Sequence, residues 1–163
     1  MKLALDIGCG ERKATAEGYD IKTLDIRAEV KPDFIAPIDK IPCPDESFDM
    51  IHSSHVLEHV KRSDIYKTIR EWRRVLKTGG ELRLIVPDLE VAAIELLSCQ
   101  TNPATFDILW GAQNYETNCH YSGYTRYILE AMIKKYGFEV KNIKCEDRQI
   151  FMTAEKIGGT YIE

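Results

Sequence analysis

The chain opens with a buried-strand pattern that runs directly into a pair of glycines. In the segment Leu3-Ala-Leu-Asp-Ile-Gly-Cys-Gly10, apolar side chains alternate up to Ile7, and Asp6 stands shortly before Gly8. Alternation with a period of two is typical of a β-strand. Gly8 and Gly10 have no Cβ, so the backbone can turn tightly there and approach a ligand. Open α/β sheets bind ligands where strands end in such turns, so this feature favours an α/β fold with a ligand site beside the glycines.

Apolar periodicity along the rest of the chain predicts an α/β fold with a sheet of about seven strands. The predicted strands cover residues 2–7, 21–26, 33–36, 48–53, 81–86, 138–145 and 149–157. The last two are joined by Glu146-Asp-Arg148, a link short enough for a hairpin, which predicts an antiparallel end to a mostly parallel sheet. We expect residues 1–163 to form a single domain, because this length supports one core and little more.

The clearest predicted helix lies between the fourth and fifth strands. Ser63 is placed to cap it, Asp64 lies in its first turn, and Thr78-Gly79-Gly80 is expected to end it. Its apolar stripe, at helical spacing, is Ile65, Ile69, Trp72 and Leu76. Further helices are predicted over 88–98, 103–115 and 126–136, the last capped by Thr125. The gaps at about 11–20 and 27–32 are too short for helices, so the first crossover helices are expected to be reduced to loops with at most one helical turn each.

Composition excludes several classes of protein. A net charge of −4 argues against a general nucleic-acid binder held by phosphate contacts. The chain has no apolar run of about 18 residues, which a membrane helix needs, and its first strand begins too close to Met1 for a signal peptide. The five cysteines are widely spaced without a CxxC pair, as expected of reduced thiols in a cytoplasmic protein.

Asp25 and a missing third glycine narrow the choice of ligand. Asp25 lies in the second strand-like run, Ile21-Lys-Thr-Leu-Asp-Ile26, where a carboxylate can accept both ribose hydroxyls of a nucleoside. The dinucleotide pattern G-x-G-x-x-G has Lys13 in place of its third glycine, and the helix that would hold a pyrophosphate is missing, so NAD and FAD are disfavoured. S-adenosylmethionine fits better, because it carries no phosphate and needs a ribose carboxylate, a close backbone and a slot for adenine. The pair Ile38-Asp39, after the third strand, is placed to supply that slot.

At these residues the chain resembles the class I S-adenosylmethionine-dependent methyltransferases, and within them a small type 11-like branch. The shared motifs are Leu3 to Gly10, Ile41-Pro-Cys-Pro-Asp-Glu-Ser-Phe-Asp49, His55-Val-Leu-Glu-His59 and Arg74-Val-Leu-Lys-Thr-Gly-Gly80. They follow the family's order over about residues 3–87, and a weaker match extends over nearly the whole chain. The resemblance implies a Rossmann-like fold, S-adenosylmethionine as cofactor and an enzyme that methylates a small molecule or a macromolecule.

The resemblance also implies roles for individual residues. The cofactor-binding residues are expected to be Asp6, Gly8, Cys9, Gly10, Asp25, Ile26, Ile38, Asp39, Ser53 and His55. Asp6 and the glycines would surround the methionine end, Asp25 would bind the ribose and Ile26 would pack on the adenine. Ser53 to His55 would face the sulfonium and the incoming substrate. The family often has a further glycine where this chain has Arg12.

Histidines raise the questions of a metal and of a general base. His52, His55 and His59 with Glu58 could hold zinc, but His52 lies in a predicted strand and the other three belong to the family motif, so no metal is expected. His120, in the aromatic-rich stretch 106–127, is a candidate general base in a substrate wall, because an imidazole pKa of about 6.5 suits proton removal at neutral pH. His55 is the second catalytic candidate. The alternative is that the aromatic residues only cover the sheet edge.

Other partners and functions remain open at this stage. The basic run from Lys61 to Lys77 is more typical of a solvated helix face than of an RNA-binding surface. Ser53-Ser-His-Val stands where many DNA amino methyltransferases have Asn/Asp-Pro-Pro-aromatic, which argues against adenine methylation. The acceptor itself cannot be identified from the sequence, and a homodimer is left open. Two alternative functions are an NAD-type nucleotide-binding protein and a non-catalytic subunit with a methyltransferase fold.

Overall fold

The computed structural model describes residues 1–115 and 117–159. Seven strands in these ranges form one sheet, in the order β3-β2-β1-β4-β5-β7-β6 when numbered along the chain. They are β1 (Lys2–Ile7), β2 (Tyr19–Asp25), β3 (Phe34–Ile35), β4 (Phe48–Ser54), β5 (Leu76–Pro87), β6 (Phe138–Glu146) and β7 (Gln149–Lys156). Strands β1 to β5 pair in parallel, and β7 runs antiparallel to both β5 and β6. The predicted Rossmann-like sheet with an antiparallel C-terminal hairpin is therefore confirmed.

The reduced first crossovers are also confirmed. No helix lies between β1 and β2, and only a short 3-10 turn, Ala28–Val30, lies between β2 and β3. The loop after β1 is instead held by Asp6, whose Oδ2 accepts a hydrogen bond of 2.8 Å from the backbone of Ala14. Strand β3 is shorter than predicted, because the backbone N–H of Asp33 donates to the hydroxyl of Thr23 instead of to a neighbouring strand. The Asp33 carboxylate in turn accepts from the backbone N–H and the hydroxyl of Thr23.

The described residues form four α-helices. They are α1 (Ile65–Val75), α2 (Leu89–Leu97), α3 (Pro103–Trp110) and α4 (Arg126–Lys135). Helix α1 contacts β5 and α4 contacts β6, whereas α2 and α3 pack on each other. All residues of the apolar stripe that was predicted for α1 are buried in the core. Thr125 caps α4 as expected, with its hydroxyl accepting from the backbone of Ile128 at 3.2 Å. Helix α3 ends earlier than the predicted residue 115, because Gly111 leaves the helical conformation with a φ of +74°.

Both predicted ends of α1 were wrong. Ser63 does not cap the helix: it lies in a 3-10 turn, Arg62–Asp64, and Asp64 occupies the N-cap position without a side-chain hydrogen bond. Thr78-Gly79-Gly80 does not end the helix, because the chain enters β5 directly after Val75. The strand is irregular over these residues, with its register against β4 shifting between Phe48 and Met50.

Two basic residues of α1, Arg73 and Arg74, are occupied by contacts within the protein. Arg73 is buried and donates to the carbonyl oxygens of Gly137 and Ile157, and Arg74 binds Glu71 and the carbonyl oxygen of Cys43. These guanidinium groups connect α1 to the hairpin and to the loop before β4. None of the helices within the described ranges is long and apolar enough to cross a lipid bilayer.

Candidate functional site

A cleft opens at the carboxyl ends of β1, β2 and β4. Because β1 lies between β2 and β4, the crossovers on its two sides run in opposite directions, which is where open α/β sheets bind ligands. The cleft measures about 730 Å³ with its open mouth included. Predicted cofactor residues that line it are Gly8, Asp25, Ile26, Ile38, Asp39 and His55. Lining residues that the sequence did not single out as cofactor-binding include Arg27, Val56, His59 and Tyr115.

The glycine turn is pressed against the residues that follow β4. Gly8 has a φ of +66°, and a Cβ built on it would lie 2.4 Å from a methyl group of Val56. Its backbone N–H donates to the carbonyl of Leu24 at 2.7 Å, which ties the end of β1 to the end of β2. Only glycine satisfies both the conformation and the space at this point. The backbone of the turn therefore forms one wall of the cleft.

Asp25 organises the side of the cleft where a ribose is expected. Its carboxylate is 5% exposed and accepts from the backbone of Gly10 at 3.0 Å and from that of Arg27 at 2.9 Å, one on each oxygen. Arg27 Nε is a further donor, at 3.4 Å from the oxygen that the Arg27 backbone already binds, so the oxygen bound by Gly10 keeps the clearest capacity for a ligand. The guanidinium of Arg27 lies over the ring of Tyr115 at 4.9 Å, and this pair borders the same side of the cleft.

Apolar and acidic residues line the side where an adenine is expected. Ile26 is 59% exposed and lines the cleft together with Ile38, so apolar surface is available for a flat ring. Asp39 lies beside them, with one carboxylate oxygen 2.9 Å from the ammonium of Lys67. None of the described residues that line the cleft begins an α-helix, so this part of the cleft offers no α-helix N-terminus to a pyrophosphate.

Four of the predicted cofactor residues are not among the described residues that line the cleft: Asp6, Cys9, Gly10 and Ser53. Asp6 is buried, with its oxygens 2.9 Å from His52 Nδ1 and 2.8 Å from the backbone N of Ala14. Burial, reinforced by the Asp6 and Asp25 carboxylates, raises the pKa of the Cys9 thiol. The Ser53 hydroxyl is buried without a hydrogen-bond partner. In this arrangement Asp6 holds the loop through its contacts with other residues of the protein.

His55 stands at the cleft wall that follows β4. It has a φ of +55°, an uncommon conformation for a residue other than glycine, and such residues cluster at functional sites. Its Nδ1 lies 3.3 Å from a carboxylate oxygen of Glu58, and its Nε2 lies 3.4 Å from Oε1 of Gln149. The contact with Glu58 raises the pKa of His55 against the opposing effect of burial.

His120 lies behind the cleft wall. Its ring makes an edge contact with His59, with centroids 4.9 Å apart, and its Nδ1 is 2.9 Å from the carbonyl oxygen of Ile108. His59 does line the cleft, and burial is the main cause that lowers the pKa of its imidazole. The sequence grouped His59 with Glu58 in one motif, but nothing in it indicated that His120 would join them.

Solved structures with this fold cover almost the whole chain. A methyltransferase from Methanosarcina mazei matches with a TM-score of 0.72 and 22% identity, over 96% of this chain and 92% of that chain. A 1,6-didemethyltoxoflavin-N1-methyltransferase from Burkholderia thailandensis, bound to 1,6-didemethyltoxoflavin and S-adenosylhomocysteine, matches with a TM-score of 0.69 and 14% identity, over 96% and 72%. A putative methyltransferase from Haloferax volcanii, in complex with the Trm112 activator, matches with 0.68 and 12%, over 99% and 84%. At these identities the likeness shows the fold.

Residues 5–84 match the Methyltransf_11 family, which is described as a methyltransferase domain. That segment holds the glycine turn, Asp25, Asp39 and the motif from His55 to His59. No curated protein has a significantly similar sequence.

Fold, cleft and matched segment together support a class I S-adenosylmethionine-dependent methyltransferase. The matched segment is of the Methyltransf_11 type, which supports S-adenosylmethionine as the cofactor. The recognition made from the ordered motifs is thereby confirmed.

Proposed function

We propose that residues 1–163 act as one methyltransferase domain that transfers a methyl group to a proton-bearing oxygen or nitrogen of an acceptor held beside His55. The observation that carries this proposal is the paired His55 and Glu58 at the wall of the cleft. The nitrogen acceptor in the name of the Burkholderia enzyme is consistent with such chemistry in a protein of the same fold.

The cofactor half of the cleft is proposed to use the residues expected from the sequence. Asp25 accepts the ribose hydroxyls with its remaining acceptor positions, Ile26 and Ile38 contact the adenine, and Asp39 lies near the adenine amino group. The Gly8 turn supports the methionine end. Asp6, Cys9 and Gly10 act behind it by holding the backbone of the loop, and Ser53 is buried at the end of β4, outside the described lining of the cleft.

The bound cofactor supplies an electrophilic methyl group, whose bond to sulfur breaks as S-adenosylhomocysteine forms. The protein holds the acceptor in line with this group, a proximity effect that contributes several powers of ten in rate. The lone pair of the acceptor atom forms the new bond to the methyl carbon. The proton that this atom carried passes to the imidazole of His55. Glu58 positions that imidazole and stabilises its charged form, which is the role of the acid in a carboxylate–histidine pair. His120 is 4.9 Å from His59 by ring centroids, and we assign it to that cluster rather than to proton removal.

Other expectations are carried forward as parts of this proposal. All five cysteines are free in the structure, which supports the cytoplasmic placement expected from the sequence. The internal contacts of Arg73 and Arg74 support an acceptor other than a generic nucleic acid. The described residues that line the cleft all belong to one chain, and the homodimer stays a prediction.

Calorimetric titration tests the cofactor half. Wild-type protein is expected to bind S-adenosylhomocysteine and not NAD, and Asp25→Ala is expected to lose that binding. Asp20→Ala is the matched control, because Asp20 is an exposed acid on the same strand that pairs only with Lys22 at 3.2 Å. Binding of NAD alone would overturn the proposal.

A screen with radiolabelled S-adenosylmethionine tests the transfer. Sugars, small heterocycles, RNA and protein acceptors are offered, and label is expected on an acceptor with an oxygen or nitrogen proton. If no class of acceptor is labelled and Asp25→Ala leaves the cellular function intact, the chain is a non-catalytic subunit and the proposed transfer is wrong.

A further inference from the structure

The geometry points to a divalent transition-metal site formed by Glu58, His59 and His120. One ligand atom from each residue lies within 4.8 Å of the other two. Glu58 and His59 belong to a 3-10 turn after β4, Leu57–His59, whereas His120 comes from the segment before α4. Two imidazoles and one carboxylate are a common ligand set for zinc and for other first-row divalent metals.

The buried carboxylate of Glu58 is the strongest sign of a missing partner. Glu58 is 1% exposed, and neither of its oxygens has a hydrogen-bond partner among the described residues. His55 Nδ1 lies 3.3 Å from one oxygen, so this ion pair engages one side of the carboxylate, and the other oxygen has no polar partner among the described residues. Burying a carboxylate without hydrogen bonds is costly, and a bound cation is one of the few groups that offset that cost.

Both imidazoles are already oriented as metal ligands. Nδ1 of His59 lies 3.0 Å from the carbonyl oxygen of Cys119, and Nδ1 of His120 lies 2.9 Å from that of Ile108. A carbonyl oxygen only accepts, so each Nδ1 carries the proton and each Nε2 keeps a free lone pair. A histidine that binds a metal usually donates its other ring nitrogen to a backbone carbonyl or a carboxylate in this way.

Backbone contacts hold the two segments together around the cluster. The N–H groups of Tyr121 and Ser122 donate to the carbonyl oxygen of Glu58 at 2.8 and 3.1 Å. Gly111 has a φ of +74°, and a Cβ there would lie 3.1 Å from the ring of His120. The ligands are therefore positioned by main-chain geometry, which a metal site needs.

The three ligand atoms lie slightly farther apart than the ligands of a bound metal ion would. Ligand atoms around a tetrahedral ion with bonds of about 2.1 Å lie about 3.4 Å apart. The present atoms lie within 4.8 Å of one another, so any two of them would have to approach by at most about 1.4 Å. The sequence analysis considered His52, His55 and His59 with Glu58 and expected no metal. In the structure His52 Nδ1 lies 2.9 Å from Asp6, and His120 is the residue that lies beside Glu58 and His59.

Three protein ligands leave a fourth position open on a tetrahedral ion. Because His59 lines the cleft, the ion would border the acceptor side and could take an acceptor oxygen or nitrogen in that position. This use rests on the proposed methyl transfer. The binding of the ion does not, and it can be measured without cofactor or acceptor.

Titration of the metal-free full chain with ZnCl₂ and with CoCl₂ tests the site. The wild type is expected to bind one ion per chain, with visible Co²⁺ absorption typical of a nitrogen- and oxygen-bound ion and a higher thermal unfolding temperature. His120→Asn and Glu58→Gln are expected to bind at least about ten-fold more weakly. His52→Asn, a histidine outside the cluster, should bind like the wild type.

Two further measurements keep the inference separate from folding and from the cofactor site. If Glu58→Gln does not fold, His120→Asn decides the question, because His120 is only partly buried. His120→Asn should retain S-adenosylhomocysteine binding, so loss of the metal and failure of the cofactor proposal give different results. No ion bound by the wild type, or equal binding by His120→Asn, would overturn the metal site.

Discussion

At the scale of single residues, Gly8 has the tightest backbone requirement in the cleft. It combines a positive φ with a methyl group of Val56 that would lie 2.4 Å from an added Cβ. Gly8→Ala is therefore expected to lower the free energy of unfolding by roughly 2–4 kcal/mol, from backbone strain and overpacking together. S-adenosylhomocysteine binding should fall with it. Urea unfolding and calorimetry measure the two effects.

Gly18 provides the matched control. It also has a positive φ, +82°, but no atom lies within 4 Å of an added Cβ. Gly18→Ala should lose only the contribution of backbone strain, roughly 1 kcal/mol. Equal losses in the two variants would contradict the role assigned to the contact between the glycine turn and Val56.

His55 gives a pH-dependent prediction at the same scale. Its pKa is raised in the folded protein by Glu58, so its contribution to stability is fully present below the unfolded-state pKa of about 6.5 and is lost as the pH rises through the folded-state value. Asn tolerates the left-handed conformation, so His55→Asn is the suitable variant. The unfolding free energy of the wild type should exceed that of His55→Asn by a larger amount at about pH 6 than at about pH 9. A difference that is constant across this range would contradict the pairing with Glu58.

At the scale of elements, α4 tests the value of a cap that the sequence predicted. The Thr125 hydroxyl accepts from the backbone of Ile128, so Thr125→Ala should cost about 1 kcal/mol of unfolding free energy. Asp64, at the start of α1, occupies the same position without a side-chain cap bond and is half-buried beside Lys67. Asp64→Ala should therefore change stability by less than about 0.5 kcal/mol. Chemical denaturation of the two variants measures the contrast, and a larger loss for Asp64→Ala would contradict it.

The elements also show where local patterns stop being informative. The stripe from Ile65 to Trp72 predicted α1 correctly, because burial on one face repeats with the helical period. Its end was wrong, because Leu76 continues the apolar spacing of the helix and yet pairs with Phe48 of the neighbouring strand. Glycines at 79 and 80 are typical of a helix end, but here they lie in the irregular part of β5. Strand pairing, which is not local, decided between the two.

At the scale of the whole molecule, the cofactor should stabilise the fold as one unit. A ligand at about one hundred times its dissociation constant adds about 2.7 kcal/mol to the unfolding free energy. For a domain of this size that corresponds to a rise of roughly 5–10 °C in the unfolding temperature. S-adenosylhomocysteine should produce this shift by scanning calorimetry, NAD should not, and Asp25→Ala should abolish it. An equal shift with NAD would contradict the nucleoside specificity argued from Asp25 and the missing pyrophosphate site.

Much of this molecule follows from the sequence alone. The seven-strand α/β fold, the reduced crossovers, the glycine turn and the acid at the end of β2 all depend on local spacing, and local spacing is visible along the chain. The class of protein was inferred because four motifs resemble those of a known family and occur in the order of that family. Asp25 and Ile26 line the cleft for the same reason, since the carboxyl ends of neighbouring parallel strands meet at one edge.

Only the tertiary structure decided the rest. Several contacts join segments that are far apart in the chain. They are the contact of Asp6 with His52, that of Arg27 with Tyr115, and that of His120 with Glu58 and His59. Burial of Glu58 without a hydrogen bond is likewise a property of the packed molecule. The chemistry of each side chain follows from the sequence. Which side chains share a site depends on long-range packing, which no local periodicity indicates.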